Sequence, residues 1–262
     1  MKNPLLIAPL HHADLLAACS LAPADEGLRG RLLWHYHTPY ALMTKAELGD
    51  ELVGYAFGVL FPGSGWVREV FVHPVAPCEE VGRALVLELV QQMEEQGALR
   101  QLVIAPEQHR PLYSACGFTV DGELLAYQDG SFLQATKDEV VNLEPEHMLA
   151  VLRLDRLATG EDRERLLREH AYLGSVYQEG TRVRGFSLPL LGHGLIVADS
   201  PEVGLELQRW LFPIQPYLRL PVGHLAAHGH LMARKYTATP AGIRMVRGER
   251  PDSRPTMIYA HP

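Results

Sequence analysis

The stretch Val70-Phe71-Val72-His73-Pro74-Val75-Ala76-Pro77-Cys78-Glu79-Glu80-Val81-Gly82-Arg83-Ala84-Leu85 reads as a buried strand, a tight loop and the start of a helix. Trp66 to His73 alternates well enough for a strand, and Pro74 ends it. Downstream, Val81, Ala84, Leu85, Leu89 and Met93 recur at 3.6-residue spacing, while Arg83, Gln91 and Glu95 fall off that face. The spacing predicts a helix over Glu79 to Gln96, closed by Gly97. A strand that delivers the chain to a helix N-terminus makes an anion site by construction. The first helical N–H groups lack partners, and the helix dipole is positive there. Gly82 and Ala84 are small enough for a ligand to approach the backbone closely.

Upstream, Leu5 to Leu10 reads as a short strand, and Asp14 to Leu21 and Leu28 to Tyr36 as helices. Tyr40 to Thr44 and Glu51 to Phe61 read as strands joined through a turn at Gly49-Asp50, and Pro62-Gly63-Ser64-Gly65 is a second turn. Beyond the long helix come a strand at Leu102 to Ala105, a short helix at Arg110 to Cys116 and a strand from Gly117 through Tyr127. The fold class is mixed α/β, with one long helix after a central strand.

Asp129-Gly130-Ser131 marks a boundary, and beyond it the order recurs. Leu143, His147, Met148, Leu149 and Ala150 echo Leu10, Asp14, Leu15, Leu16 and Ala17. Glu202-Val203-Gly204-x-x-Leu207 echoes Glu80-Val81-Gly82-x-x-Leu85. Leu218-Arg219-Leu220 follows as Leu102-Val103-Ile104 did, and Leu231-Met232-Ala233 takes the place of Leu112-Tyr113-Ser114. Four echoes in one order predict a tandem repeat, residues 1–130 and 131–262, each a mixed central sheet flanked by helices. A single larger αβ domain is the other reading.

The chain has 262 residues, 47% hydrophobic and 21% charged, with a net charge of −7. That composition is ordinary for a globular protein, and the acidic excess argues against non-specific nucleic-acid or anionic-membrane binding. Three scattered cysteines, Cys19, Cys78 and Cys116, form no disulfide framework, so a reducing compartment is expected. Met1 to His12 holds only a short apolar run, and nowhere do 18 apolar residues run together. A cytoplasmic location is the expectation.

Val72-His73-Pro74, Gly82-x-Ala84 and the spacing between them resemble the GNAT family of acyl-CoA-dependent N-acetyltransferases. Leu112-Tyr113-Ser114-Ala115-Cys116-Gly117-Phe118 looks like that family's later motif, a short helix carrying Tyr and ending in Gly-Phe. The match is good over roughly residues 50–128 and coarse before that. Leu154-Asp155, Ala158-Thr159-Gly160, Asp162-Arg163, Leu166-Leu167 and Gly194 to Asp199 resemble the C-terminal half of a two-domain bacterial subgroup, with Arg244-Met245-x-x-Gly248 as its closing strand. The resemblance implies acetyl-CoA as donor and an amine as acceptor. It places the pantetheine arm beside Val70, Phe71 and Val72, and the pyrophosphate over Glu80, Val81, Gly82, Arg83 and Ala84. It also makes Tyr113 the general acid for the departing thiolate. One departure stands out: Glu79 and Glu80 occupy positions where the family carries a basic or amide residue, and carboxylates repel a phosphate.

Other residues are weighed on their own chemistry. Glu69, on the central strand, is a candidate base for an amine that arrives protonated, or a salt-bridged strand residue. A backbone N–H around Phe71 or Val72 would serve the oxyanion. Tyr113 also has a bland reading as a core ring. His224 and His228 have zinc-protease spacing, but Leu225 stands where that pattern needs Glu, so no metal is expected. Cys116 and Cys78 have no assignable His partner, which leaves a hydrolase reading remote. Glu161-Asp162-Arg163-Glu164-Arg165 reads as an ion-paired helix face. Met232 stands where Tyr113 does in the first half and cannot protonate a thiolate, so the second half is expected to be non-catalytic. The reading is an N-acetyltransferase acting from acetyl-CoA on a primary amine of a small molecule or peptide. The alternative is a GNAT-like binding or regulatory protein that has lost transfer.

Overall fold

The structure is a computed structural model that describes residues 4–22, 24–131 and 134–262. Met1 to Asn3, at the head of the N-terminal stretch, lie outside the described residues. The first half runs β1 (Leu5–Pro9), α1 (Leu15–Leu21), α2 (Leu28–His37), β2 (Ala41–Leu48), β3 (Glu51–Phe61), β4 (Ser64–Val72), α3 (Cys78–Glu95), β5 (Arg100–Ala105), α4 (Arg110–Ala115) and β6 (Thr119–Gln128). The second runs β7 (Val140–Asn142), α5 (Met148–Thr159), α6 (Glu164–Glu169), β8 (Ser175–Glu179), β9 (Arg182–Leu188), β10 (Leu195–Ala198), α7 (Pro201–Leu211), β11 (Leu218–Pro221), α8 (Leu225–Met232), β12 (Thr237–Gly248) and β13 (Ile258–Ala260). The order strand, two helices, three strands, helix, strand, short helix, strand occurs twice. This is the tandem mixed α/β architecture that the echoes point to.

The first compact unit is Met1–Asp121 with Ile243–Arg250, and the second is Gly122–Gly242 with Pro251–Pro262. That division differs from the expected break at Asp129-Gly130-Ser131, and strand pairing is the reason. Ile243 to Gly248 of β12 pairs antiparallel with β5, from Ile243 opposite Ala105 to Gly248 opposite Arg100. Leu124 to Tyr127 of β6 pairs antiparallel with β11. The segment expected to close the second sheet thus closes the first.

In the first unit the sheet order is β1-β2-β3-β4-β5-β12, antiparallel except for the β4–β5 pair. The hairpin between β2 and β3 turns at Gly49-Asp50, with Gly49 in the left-handed region at φ 67°. Leu15, Ala18, Leu28 and Leu32 from α1 and α2 pack with Met43, Tyr55 and Phe57. In a separate core cluster, Val81, Leu85, Leu89 and Met93 of α3 pack with Ala46, Val53, Ala56 and Val67. Each such aliphatic side chain, fully buried, contributes about 1.5–3 kcal/mol. Helix α3 lies close on its strands because Gly65 leaves room: a Cβ there would fall 2.5 Å from Met93 Sδ. At its end the Ala98 N–H donates to the Met93 carbonyl at 2.9 Å around Gly97, a glycine C-cap.

In the second unit β7, β8, β9, β10 and β13 form a five-stranded antiparallel sheet in the order β13-β10-β9-β8-β7. Val151, Leu154 and Ala158 of α5 pack with Val176, Phe186 and Val197. Val203, Leu207 and Leu211 of α7 pack with Ile196, Leu218 and Leu220. The run Glu161 to Arg165, read as an ion-paired helix face, is partly internal, with Glu161 and Arg163 buried. Arg163 donates to Asp155 through Nε and Nη2 at 3.0 and 2.5 Å, and the two side chains are only 6% and 1% exposed. Strand β11 was expected to sit as β5 does. It differs in its neighbour: β5 pairs directly with β4, whereas β11 meets β13 through the Arg219–His261 bridge.

Candidate functional site

The geometry of the first unit turns on one residue of β4. Phe57 lies opposite Glu69 and Gly58 opposite Val67, so the register shifts by one across Arg68 and β4 bulges. Before the bulge β4 runs parallel with β5, Ser64 to Val67 against Arg100 to Val103. After it β4 no longer pairs with β5. The His73 N–H donates to the Val53 carbonyl at 2.8 Å, with Val72 opposite Gly54 and Phe71 opposite Tyr55. In an antiparallel ladder alternate residues turn their N–H and C=O to the partner. Phe71 and Glu69 therefore bond β3, while Val70 and Val72 turn their peptide groups the other way. Of the two residues expected to offer an oxyanion donor, pairing parity selects Val72 over Phe71.

That open edge is one wall of a 1360 Å³ cleft lined by Val70 to Val72, the first turns of α3, and Gln108, His109, Pro111 to Tyr113 and Ala115 around α4. At the start of α3 the Val81 N–H already donates to the Pro77 carbonyl at 3.0 Å. The N–H groups of Gly82, Arg83 and Ala84 fall within the helix and bond back along it. The donors open to an anion are thus at Cys78, Glu79 and Glu80, a set that begins two residues before the expected span of Glu80 to Ala84 and shares only Glu80 with it. Val81 is fully buried in the core and does not line the cleft. Glu80, Gly82, Arg83 and Ala84 do line it, as do Pro77, Cys78 and Glu79. Gly82 sits on the cleft floor, where a Cβ would touch Leu112 and Val72 at 3.7 Å. Glu79, Glu80 and Arg83 are all exposed, which leaves two carboxylates and one guanidinium at the lip.

Tyr113 of α4 lines the same cleft, with its ring buried against Phe118 at 5.7 Å between centroids. Burial pushes its phenol up to about 12, so the hydroxyl stays protonated across the physiological range and can donate. Cys116, one turn on, is buried, and burial raises its thiol as well. Cys78 is exposed, with its thiol directed at the Ala76 carbonyl, 3.4 Å away.

Glu69 is not among the cleft-lining residues. Its carboxylate accepts from Arg31 Nε at 2.9 Å and from the Tyr55 hydroxyl at 3.2 Å. Arg31 also pairs with Asp25 at 2.5 Å. Burial and the neighbouring carboxylate raise the Tyr55 phenol. Sequence reasoning named Glu69 but missed this network. Tyr55 is a diagonal neighbour of Glu69 across β3–β4, a relation that hairpin register could have suggested; Arg31 comes from α2, and nothing in the sequence signals it. Leu112, Gln108 and His109 were also missed as cleft walls.

The histidines are placed structurally. His224 caps α8 by accepting from the Ala227 N–H at 3.3 Å, and His35 is buried against Phe57. Among the described residues no group of three or more His, Cys, Asp and Glu is arranged to hold a metal ion, and no helix is long and apolar enough to cross a membrane.

Residues 11–118 match the model of the Acetyltransferase (GNAT) family. None of the curated proteins compared with the sequence matches it. Solved structures share the fold over nearly the whole chain. An acetyltransferase candidate from Pyrococcus horikoshii is similar at 19% identity and a TM-score of 0.77, over 98% of this chain and 93% of that one. A GCN5-related N-acetyltransferase from Sphaerobacter thermophilus is similar at 17% and 0.61, over 96% and 98%. A tandem GNAT protein from the clavulanic acid biosynthesis pathway is similar at 12% and 0.57, over 94% and 98%. At these identities the likeness is one of fold.

Proposed function

We propose that the first unit, whose residues 11–118 match the Acetyltransferase (GNAT) family model, moves an acetyl group from acetyl-CoA to a primary amine. The observation that carries this reading is the parting of β4 from β5 at the Arg68 bulge, beside the start of α3 and Tyr113. The cleft fits the donor. Val70 and Val72 present unpaired peptide groups on which an amide-rich pantetheine arm would lie as an added strand. The N–H groups of Cys78 to Glu80 face the pyrophosphate, with Arg83 as the nearby cation. The amine nitrogen forms its bond to the acetyl carbon, and the carbon–sulfur bond breaks. Val72 N–H stabilises the carbonyl oxygen as charge gathers on it, and the Tyr113 hydroxyl gives its proton to the leaving thiolate. Glu69 bonds through its backbone to β3, and its carboxylate is held by Arg31 and Tyr55. It takes the first proton from the incoming ammonium through water, since it lies outside the cleft lining, and the second proton, shed by the nitrogen once it is bonded to the acetyl carbon, restores the Tyr113 hydroxyl.

Incubation with acetyl-CoA and a panel of polyamines, amino sugars and aminoacyl compounds, followed by release of free thiol, tests the reading. Acceptor-dependent thiol release is expected. Donor that neither binds nor turns over with any amine would overturn it. A non-catalytic binding module is favoured by one observation, the two exposed carboxylates at the cleft lip. Thermal shift with CoA separates the variants: Glu79→Arg or Glu80→Gly should tighten CoA by about fivefold through removal of like charge. Weaker binding in both would mean that these carboxylates assist the ligand.

A further inference from the structure

The cleft of the first unit exists because β4 and β5 part. The corresponding strands of the second unit are β10 and β11, and a strand of the same chain lies between them. Strand β13 runs antiparallel to β10, with Ile196 opposite Ala260 and Val197 opposite Ile258. On its other side His261 bridges antiparallel to Arg219 of β11, and its N–H donates to the Arg219 carbonyl at 2.8 Å. The Arg219 guanidinium donates in turn to the Pro262 carbonyl.

Side chains hold the strand as a built site. Tyr259 is 2% exposed. Its ring lies on Gly204 of α7, where a Cβ would fall 2.3 Å from Tyr259 Cδ2. The His224 ring meets the Tyr259 ring edge-on at 4.3 Å. Gln208, fully buried, donates through Nε2 to the Tyr259 carbonyl at 2.6 Å. Gly192 makes room at the far end, where a Cβ would fall 2.8 Å from the Pro262 carbonyl carbon. Gly204 ends the same Glu-Val-Gly triplet in α7 as Gly82 does in α3. At Gly82 the corresponding space faces the open cleft. At Gly204 a tyrosine fills it.

We propose that the gap between β10 and β11 is a strand-binding groove for an extended peptide with an aromatic anchor. Its occupant is the chain's own segment Ile258–Pro262, and the second unit therefore takes up no acyl-CoA. Backbone pairing on both edges supplies the attachment, and the Tyr259 pocket supplies the specificity. The exclusion of CoA rests on the acyl-CoA reading of the first unit; the groove itself does not.

Amide hydrogen exchange on the full chain tests the groove without any donor. The amides of residues 258–261 should exchange slowly, and Gly204→Ala should speed their exchange at least about tenfold by displacing the ring, with β8 and β9 unaffected. Fast exchange in the unmodified chain, or no change in Gly204→Ala, would overturn the groove. Native mass spectrometry with CoA tests the exclusion. One CoA per chain is expected; two would overturn the inference, and none beside a protected segment would overturn the acyl-CoA reading alone. A chain ending at Arg254 should regain thermal stability with the synthetic peptide Pro255–Pro262 and not with its Tyr259→Ala form. Equal rescue by both peptides would refute the aromatic anchor, and exchange in the full chain decides the matter if the shortened chain does not fold.

Discussion

Tyr113→Phe takes one oxygen from the cleft wall and leaves the ring on Phe118, so the fold should be unchanged. Acyl transfer then lacks the proton for the departing sulfur. Turnover should fall at least about tenfold, within the usual range for a lost general acid, and CoA affinity should hold. The affinity holds because the hydroxyl acts on charge that appears only as the carbon–sulfur bond breaks. Steady-state kinetics beside a CoA titration checks both; full activity would return Tyr113 to a packing role. A second titratable residue bears on stability. His35 is buried, its Nδ1–H donates to the Arg31 carbonyl at 2.8 Å, and burial lowers it to about 4. The unfolded chain therefore binds the extra proton between about pH 6.5 and 4, so stability falls as the pH drops through that window and is flat above it. The loss is about 3 kcal/mol at full protonation. Urea unfolding at pH 7, 5 and 4 should show the drop, and His35→Gln should flatten it; an equal drop in the variant would assign acid sensitivity elsewhere. Tyr113 was legible in the sequence because its motif is local. The pairing of Glu69 with Arg31 was not, because 38 residues and a helix placement separate them.

At the scale of elements, the strand–loop–helix at Trp66 to Gln96 was legible because strand and helix periods differ and glycine and proline punctuate them. What stayed hidden was the bulge at Arg68, since a one-residue shift of register leaves no mark in the hydrophobic pattern. That bulge ends the β4–β5 pairing, and ladder parity then decides which peptide groups are open. Proline substitution reads the parity directly, because proline removes one backbone donor. Val72→Pro deletes an N–H that β3 does not use, so the fold should survive while CoA binding weakens, by about tenfold at most for one hydrogen bond. Phe71→Pro deletes an N–H that β3 does use, and should lower the melting temperature instead. Melting curves and CoA titrations of the pair form the check; if both lose the fold, or Val72→Pro keeps full affinity, the open edge is misassigned.

At the scale of the whole molecule, the echoes between the halves revealed the repeat but not the exchange of strands. Sequence similarity reports which element recurs, and register reports which element it pairs with. Ile243 to Gly248, the expected closing strand of residues 131–262, belongs to the first unit. Its side chains are part of that unit's interior: Ile243 and Met245 lie in the core cluster with Val103 and Leu85, and Met245 is fully buried. Its charged residues are tied there too, Arg244 to Asp121 and Arg247 to Glu94. A fragment of residues 1–130 would therefore expose one edge of β5, lose a buried methionine and leave Asp121 without its partner. Loss of a buried methionine to alanine alone costs about 2–5 kcal/mol, a large share of a domain's total stability. Neither 1–130 nor 131–262 should fold alone, and the two produced together should assemble into a CoA-binding complex. Circular dichroism of each fragment, then co-purification and CoA titration of the pair, makes the test. A cooperative unfolding transition in isolated 1–130, with CoA binding intact, would show that Ile243 to Gly248 is dispensable and that the halves are independent domains. In the intact chain Met245→Asp should lower CoA binding in step with stability, although residue 245 touches no part of the cleft. Met245→Leu, which conserves volume and polarity, should restore both.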